Sequence, residues 1–477
     1  MGGADAGPVG PLQINAWTPR TRRVEAPPSA AIGDWAIRRS GTLVPNRPLA
    51  AKEPADERDW HDERVGWGLV LPDDDAVPPL DRAAGADAAP ALRKLLASRP
   101  GSPVLRYRPE HGVSFLVRYD EGGTPRKIAT TGGERGTGPK RLPKYLLIAA
   151  SPAQVPWRLQ YLLNTSSYVG RLDLPDDGLE RYVDALVAGW DGAAASPRST
   201  VVWAVDHGRQ DITWLMRHGL AEPLAETWAG DADLRDGVHR LTGDAASGSA
   251  LLEALTTRRP GVVVTTSHGV TAPLDDPAAL RRGLGVMVDG SRQPIDAEGL
   301  AGSWAPDGAI WYSHACCSAG ADDATLFADV VDAGSDVERV LTGVAAGAGA
   351  CTAPLPRALL GAERPLRAFV GHVEPTFNWT LRDPENGQLL TTGVRTALYD
   401  GLFRARPEPV GLAMARAFSP VAALWSRWDT ERLAAVGGDA VARQRALSAR
   451  LSALDRQGIV VLGDPTAVLP ALAGGGG

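Results

Sequence analysis

The feature that most constrains the fold is an alternation of short apolar segments with amphipathic ones, which begins near Lys144. Residues 145–150 and 201–205 are continuous apolar runs, typical of strands that are buried on both faces. Between them, residues 179–190 carry apolar side chains three and four positions apart, which is the spacing of one helix face. This alternation predicts an α/β fold in three layers, with a mostly parallel sheet covered by helices on both sides.

The first 140 residues follow a different pattern, because Pro and Gly interrupt every longer periodic segment. They predict an irregular, β-containing N-terminal accessory region, with a helix over 89–98 and a β-hairpin formed by 104–107 and 113–119. The predicted domain boundaries are 1–140 for this region, for regulation or partner binding, 141–260 for a first α/β half, 261–470 for a catalytic α/β subdomain and 471–477 for a flexible tail.

Composition excludes several classes of protein. The 477 residues are 44% hydrophobic and 22% charged, as in folded globular proteins, and the formal net charge of −6 gives no reason to expect a nucleic-acid partner. The N-terminus lacks the basic and apolar parts of a signal peptide, and residues 340–356 are too short to cross a bilayer. We therefore expect a cytoplasmic protein without membrane association.

The three cysteines are consistent with a reducing compartment, since they cannot form a closed set of disulfides. A metal site is not expected at His314, Cys316 and Cys317, because they crowd one strand end without the gaps that let a chain wrap around zinc. We predict Cys351, in an Ala/Gly-rich segment, to be structural.

Two apolar segments end in reactive side chains. Residues 262–269 end in His268 and Gly269, and residues 310–318 contain Cys316. Ligands of open parallel sheets bind at the carboxyl ends of the strands, so an imidazole and a thiol delivered there can form a nucleophilic pair. A helix predicted over 324–331 would lower the pKa of the thiol through its N-terminus.

The two segments together resemble the caspase-like cysteine peptidases of clan CD, in which a strand ending in His-Gly precedes a strand ending in Ala-Cys by about fifty residues. The chain is most similar to the gingipain type and to related bacterial caspase-like domains. Residues 145–156, 168–172, 368–374 and 461–466 carry further similarity. The resemblance implies a three-layer caspase-like sandwich.

What the resemblance implies for function is a cysteine endopeptidase that acts through a thioester and needs no cofactor. Cys316 corresponds to the nucleophile, His268 to the group that protonates the leaving amine, and the Gly269 and Cys316 amides to the oxyanion donors. Cys317 is the alternative nucleophile if the alignment slips by one residue. The expected partners are a protein or peptide substrate and an activating protein, in a setting of bacterial signalling or defence.

Substrate specificity is less constrained by the sequence. Asp206, Arg209 and Asp211 follow the 201–205 strand, whose carboxyl end borders the expected cleft, and His372 ends another strand. A carboxylate such as Asp206 would select a basic residue before the cleaved bond, the P1 position. Arg282 and Arg292, in the insert between the two catalytic strands, would instead select acidic substrates.

Three alternatives stay open. His207, which also precedes a glycine, is a second candidate for the imidazole, although its distance from the cysteines does not fit the family spacing. The chain could instead be a catalytically silent caspase-like module that binds or regulates a partner. It could also be a thiol amidase or acyltransferase that acts on a small molecule.

Overall fold

The computed structural model describes residues 11–17, 24–32, 35, 55–403 and 406–472. Its strands, numbered along the chain, are β1 (Leu12–Ile14), β2 (Ala16–Trp17), β3 (Val24–Ala26), β4 (Trp67–Pro72), β5 (Val104–Tyr107), β6 (Phe115–Tyr119), β7 (Pro125–Ala129), β8 (Tyr145–Ala149), β9 (Tyr168–Leu172), β10 (Ser196–Ala204), β11 (Val238–Thr242), β12 (Pro260–Thr266), β13 (Gly269–Val270), β14 (Ile310–His314), β15 (Gly320–Ala321), β16 (Cys351–Thr352), β17 (Ala368–His372) and β18 (Ile459–Gly463).

Twelve of these strands form one sheet, in the order β11-β10-β12-β14-β17-β18-β9-β8-β4-β5-β6-β7. Neighbouring strands are parallel except at β17–β18, β5–β6 and β6–β7. The antiparallel contact of β17 with β18 joins two parallel blocks, one made of β11, β10, β12, β14 and β17 and the other of β18, β9, β8, β4 and β5. The predicted mostly parallel α/β sheet is confirmed.

The sheet is buried on both faces, as the apolar runs predict. Along β8, Tyr145 and Leu147 belong to one hydrophobic cluster, whereas Leu146 and Ile148 belong to another. Every residue of β12 is buried, which explains why its sequence is almost continuously apolar. Helices flank the sheet and are consistent with three layers.

The helices of the described residues are Pro79–Ala84, Pro90–Ser98, Trp157–Asn164, Asp176–Val187, Ile212–Met216, Glu222–Gly230, Gly248–Arg258, Pro277–Gly283, Ala297–Ser303, Asp336–Ala348, Pro354–Leu360, Thr392–Thr396, Val410–Val436 and Ala440–Gln457. The helices predicted over 89–98 and 179–190 are confirmed to within a few residues at each end. None of the helices combines the length and the apolar character needed to span a bilayer.

One predicted helix is wrong. Residues 324–331 form turns, and the first helix after the cysteines starts at Asp336, where the Ser335 hydroxyl accepts a hydrogen bond from the Glu338 N–H. Asp329 and Gly334, before that cap, have positive φ, which is incompatible with a right-handed helix. No helix N-terminus therefore follows Cys316 directly.

The N-terminal region contributes to the same sheet. Strands β4–β7 lie within residues 1–140, and β4 pairs in parallel with β8. The predicted hairpin is present as β5 and β6. The domain boundaries stay a prediction, and residues 473–477 of the predicted tail lie outside the described residues.

Candidate active site

The pairing register brings the two reactive strand ends together. Strands β12 and β14 are paired up to Thr266 and His314, so His268 and Cys316 each lie two residues beyond the last pair. The next residue after the histidine, Gly269, packs against the Cys316 backbone so closely that a Cβ there would lie 2.0 Å from the Cys316 carbonyl oxygen. Only glycine fits at this position.

His268 is fully inside the protein and is bonded to a carboxylate. Its Nε2 lies 3.0 Å from both carboxylate oxygens of Asp211, which can only accept, so Nε2 carries the proton. The other ring nitrogen, Nδ1, is buried and has no hydrogen-bond partner within the described part of the chain. The imidazole is therefore held by Nε2, and its Nδ1 is left to interact with another group.

Asp211 is held in turn by the helix that it begins. Its Oδ1 accepts hydrogen bonds from the Thr213 N–H and hydroxyl, at 2.9 and 2.6 Å. Burial works to raise the pKa of Asp211, but the hydrogen bonds from His268 and Thr213 outweigh it and hold that pKa well below its usual range. The sequence placed Asp211 in a specificity pocket, whereas the structure places its carboxylate against the imidazole.

The thiol of Cys316 contacts a different loop. Its Sγ accepts a hydrogen bond from the Thr376 N–H at 3.2 Å and lies 3.7 Å from the Thr376 carbonyl oxygen. No hydrogen bond joins Cys316 Sγ to His268 in the described residues. Burial raises the pKa of the Cys316 thiol well above its usual range, and the backbone N–H groups of Thr376 and Asn15 oppose this rise only in part.

Asp455 fixes the loop that meets the thiol. Its carboxylate accepts hydrogen bonds from the Phe377 and Thr380 N–H groups, at 2.8 and 2.9 Å, and from the Thr376 hydroxyl at 2.9 Å. Burial raises the pKa of Asp455 to about 7. Nothing in the sequence marks Asp455 or Thr376, because they lie 139 and 60 residues after Cys316 and are joined to it only by the fold.

The second cysteine of the doublet has a left-handed backbone. Cys317 has φ +55°, and its N–H donates to the Glu374 carbonyl at 2.9 Å. Burial and the neighbouring Cys316 raise the pKa of its thiol. All three cysteines are free thiols, as expected. The contact with Thr376 belongs to Cys316, the preferred nucleophile.

An N-terminal segment crosses the site. Asn15 is fully buried and its carbonyl accepts a hydrogen bond from the Gly269 N–H at 3.2 Å, while its own N–H donates to the Thr376 carbonyl at 2.9 Å. Strand β2, which follows Asn15, pairs in parallel with β13, which starts at Gly269. The predicted oxyanion donor Gly269 is thus engaged with a carbonyl oxygen of the chain itself.

Among the other predicted specificity residues, Asp206 and His372 have hydrogen-bond partners other than His268 and Cys316 in the described residues. Asp206 is bonded to Arg217 at 3.0 Å and accepts from the Gly208 N–H. Arg209 is exposed and lines a surface cavity of about 360 Å³. His372 is fully buried, with its Nε2 3.2 Å from Nδ1 of His314.

His207 lies beside the catalytic candidate. Its ring stacks on that of His268, with centroids 5.6 Å apart, and its Nε2 donates to the Asp289 carbonyl at 3.1 Å. Burial lowers the pKa of His207, and His268 adds to this shift. His207, Asp211 and His268 each offer a ligand atom within 4.8 Å of the others, so these three side chains could share a cation. Two imidazoles and a carboxylate are a donor set that suits zinc.

Comparison with known proteins did not identify a related protein. No family model, curated protein or solved structure matches the chain. The resemblance of the His268 and Cys316 segments to caspase-like peptidases stays a prediction from the sequence.

Proposed function

We propose that the protein is a cysteine endopeptidase of caspase-like type, with Cys316 as nucleophile and His268 as the proton donor to the leaving amine. The observation that carries the proposal is the imidazole of His268, which is bonded to Asp211 through Nε2 and has a free Nδ1 at the strand end next to Cys316. A carboxylate that fixes the tautomer of a histidine beside a nucleophile is the arrangement that acyl transfer requires.

The reaction balances without a cofactor. The Nδ1 of His268 takes the proton of the Cys316 thiol, and the sulfur attacks the carbonyl carbon of the substrate. The C–N bond then breaks, and Nδ1 gives that proton to the departing nitrogen. Water then hydrolyses the thioester, which releases the acid and restores the thiol. The Gly269 N–H lies where it can hold the oxyanion, since it already binds a carbonyl oxygen. Asp211 acts through His268 and is a positioning residue.

One observation favours a second function, the catalytically silent module. The Cys316 thiol is buried, is bonded to Thr376 rather than to His268, and has a raised pKa. A reactive thiol would instead be accessible and have a lowered pKa. The occluding Asn15 segment offers a different reason for the same burial, and the two reasons are separable by experiment.

The test is hydrolysis of fluorogenic peptides with Arg, Lys, Asp or Asn at P1 by the full chain. Hydrolysis of at least one peptide, lost in Cys316→Ala and His268→Ala and retained in Cys317→Ala, is expected. The same assay on Asn15→Pro, which removes both the backbone N–H bonded to Thr376 and the carboxamide contacts, tests whether occlusion by the segment hides activity.

Two results would overturn the proposal. One is no hydrolysis of any peptide by either the wild type or Asn15→Pro. The other is hydrolysis that persists in Cys316→Ala and stops on addition of a chelator, which would assign the reaction to a cation at His207, Asp211 and His268.

A further inference from the structure

The segment that crosses the candidate active site is bound in the manner of a substrate. Asn15 makes both of its backbone hydrogen bonds to the site, through its carbonyl oxygen to Gly269 and through its N–H to Thr376. The residue before it, Ile14, forms an antiparallel bridge with Phe377. An extended peptide that adds to the edge of a site through main-chain hydrogen bonds is a common mode of peptide recognition.

Thr376 places the Asn15 backbone next to the sulfur. Its N–H donates to Cys316 Sγ at 3.2 Å, and its carbonyl accepts from the Asn15 N–H at 2.9 Å. On the other side, the Asn15 carbonyl oxygen points at the Gly269 N–H, the predicted oxyanion donor. The Asn15–Ala16 peptide bond thus has a thiol beside it and a hydrogen-bond donor on its oxygen.

The Asn15 side chain fills a closed pocket that accepts hydrogen bonds. Its amide nitrogen donates to the Ser267 carbonyl at 2.5 Å and faces the His314 carbonyl at 3.4 Å and the Met216 sulfur at 3.3 Å. These acceptors fix which end of the amide is the nitrogen. The side chain is fully buried, and its Oδ1 has no partner in the described residues.

Such a pocket discriminates among side chains. An aspartate has no N–H to donate and would place a negative oxygen against the Ser267 carbonyl, so the pocket disfavours it. An arginine or lysine is longer, and Met216 lies where its chain would continue. The pocket therefore suits asparagine, whereas the sequence favoured a basic P1 residue through Asp206, whose carboxylate is bonded to Arg217.

We infer that the Asn15–Ala16 bond is a substrate of the protein's own active site, which accepts asparagine at P1. The inference rests on the proposed function and names its substrate class. His268 Nδ1 takes the proton of the Cys316 thiol, and Sγ attacks the Asn15 carbonyl carbon. The bond to the Ala16 nitrogen then breaks, and that nitrogen receives the same proton from Nδ1. Water hydrolyses the Asn15 thioester, and the products are residues 1–15 and a chain that begins at Ala16. Until cleavage the segment excludes other substrates from the cleft.

The test follows the intact mass and the N-terminal sequence of the purified full chain with time. A product that begins Ala-Trp-Thr-Pro is expected, and Cys316→Ala should not form it. Asn15→Asp removes the amide donor and should slow cleavage by at least about 100-fold. Gln13→Glu makes the same chemical change two residues earlier and should stay within about threefold of the wild type.

A second measurement uses peptides in trans, so that a slow first cleavage does not decide the result. The full chain should hydrolyse Leu-Gln-Ile-Asn-reporter at least about tenfold faster than the same peptide with Asp or Arg at P1. A chain that keeps residues 1–15 while it hydrolyses the Arg peptide faster, in a Cys316-dependent manner, would overturn this inference and leave the proposed function standing. Absence of every Cys316-dependent reaction, in Asn15→Pro as well, would overturn both.

Discussion

Two pairs of histidines lie at the carboxyl ends of neighbouring strands, and they differ in what they are bonded to. In the first pair, His268 is bonded to the Asp211 carboxylate and stacks on His207. In the second, His314 and His372 are bonded to each other, and His314 also to the Tyr312 hydroxyl. No carboxylate contacts the second pair in the described residues. Both pairs share their position at strand ends, and the carboxylate partner distinguishes the first pair from the second.

The difference has a physical basis. Burial lowers the pKa of His314 to about 3, and burial together with His314 lowers the pKa of His372 well below its usual range. Both rings therefore stay neutral at ordinary pH and serve packing and hydrogen bonding. An imidazole that is to move a proton needs a fixed orientation and tautomer, and only His268 is bonded to a carboxylate, that of Asp211, among these rings in the described residues.

The largest expected effect is on activity, when one histidine of each pair is replaced by alanine. His268→Ala should lower kcat for the preferred peptide by roughly 10²- to 10⁴-fold, because it removes the proton donor. His314→Ala should lower the free energy of unfolding by about 1–3 kcal/mol, because it leaves the Tyr312 hydroxyl without a buried partner, while its folded fraction stays active. Rates and denaturant curves measured on both variants check this, and equal losses of activity would contradict the comparison.

A smaller effect is expected from the carboxylate. Asp211→Asn keeps the shape but no longer fixes the proton on Nε2, and should lower kcat by roughly ten- to 10⁴-fold with little change in KM. Glu222→Gln is the matched control, since the half-buried Glu222 is bonded to His218 at 2.7 Å and to Arg217 at 2.6 Å, and has no hydrogen bond to His268 or Cys316 in the described residues. The measurement is kcat and KM of the two variants, compared with the wild type. Similar losses of kcat in both variants would contradict a positioning role for Asp211.

The smallest effect is a change in acid stability. The pKa of Asp211 is lower in the folded chain than in the unfolded one, where it is about 3.9. Its contribution to the free energy of unfolding is therefore complete above the unfolded pKa and is lost as the pH falls towards the folded pKa. Denaturant unfolding between pH 6 and pH 3 should show a shallower loss of stability in Asp211→Asn than in the wild type. Parallel curves would show that the carboxylate is not stabilised by its hydrogen bonds.

The sequence predicted those parts of the molecule that depend on local pattern. The apolar runs at 145–150 and 201–205 gave strands close to the observed β8 and β10, and the spacing in 179–190 gave the helix Asp176–Val187 to within a turn. The helix predicted over 324–331 was wrong. Asp329 and Gly334 have positive φ, which a right-handed helix does not allow, and the helix begins only after the cap at Ser335.

The parts that the sequence did not predict depend on distant contacts. Asn15 reaches Ser267 and Gly269 across more than 250 residues, and its segment has no motif beyond a short alternation of apolar and polar residues. Asp211 was named as a pocket residue because it follows a strand, and only the packing of its helix turns it towards His268. Sequence order places a residue at the cleft, but the side chain's partner is set by tertiary structure.

The most direct test of the central claim, that Cys316 is a nucleophile served by His268, is the mass and position of a covalent adduct. The wild type and Asn15→Pro are treated with peptidyl acyloxymethyl ketones carrying Asn, Arg, Lys or Asp at P1, and the modified peptide is sequenced by mass spectrometry. The account predicts one adduct, on Cys316, formed fastest by the Asn reagent and absent from His268→Ala. An adduct on Cys317 or Cys351, or none with any reagent on either protein, would contradict it.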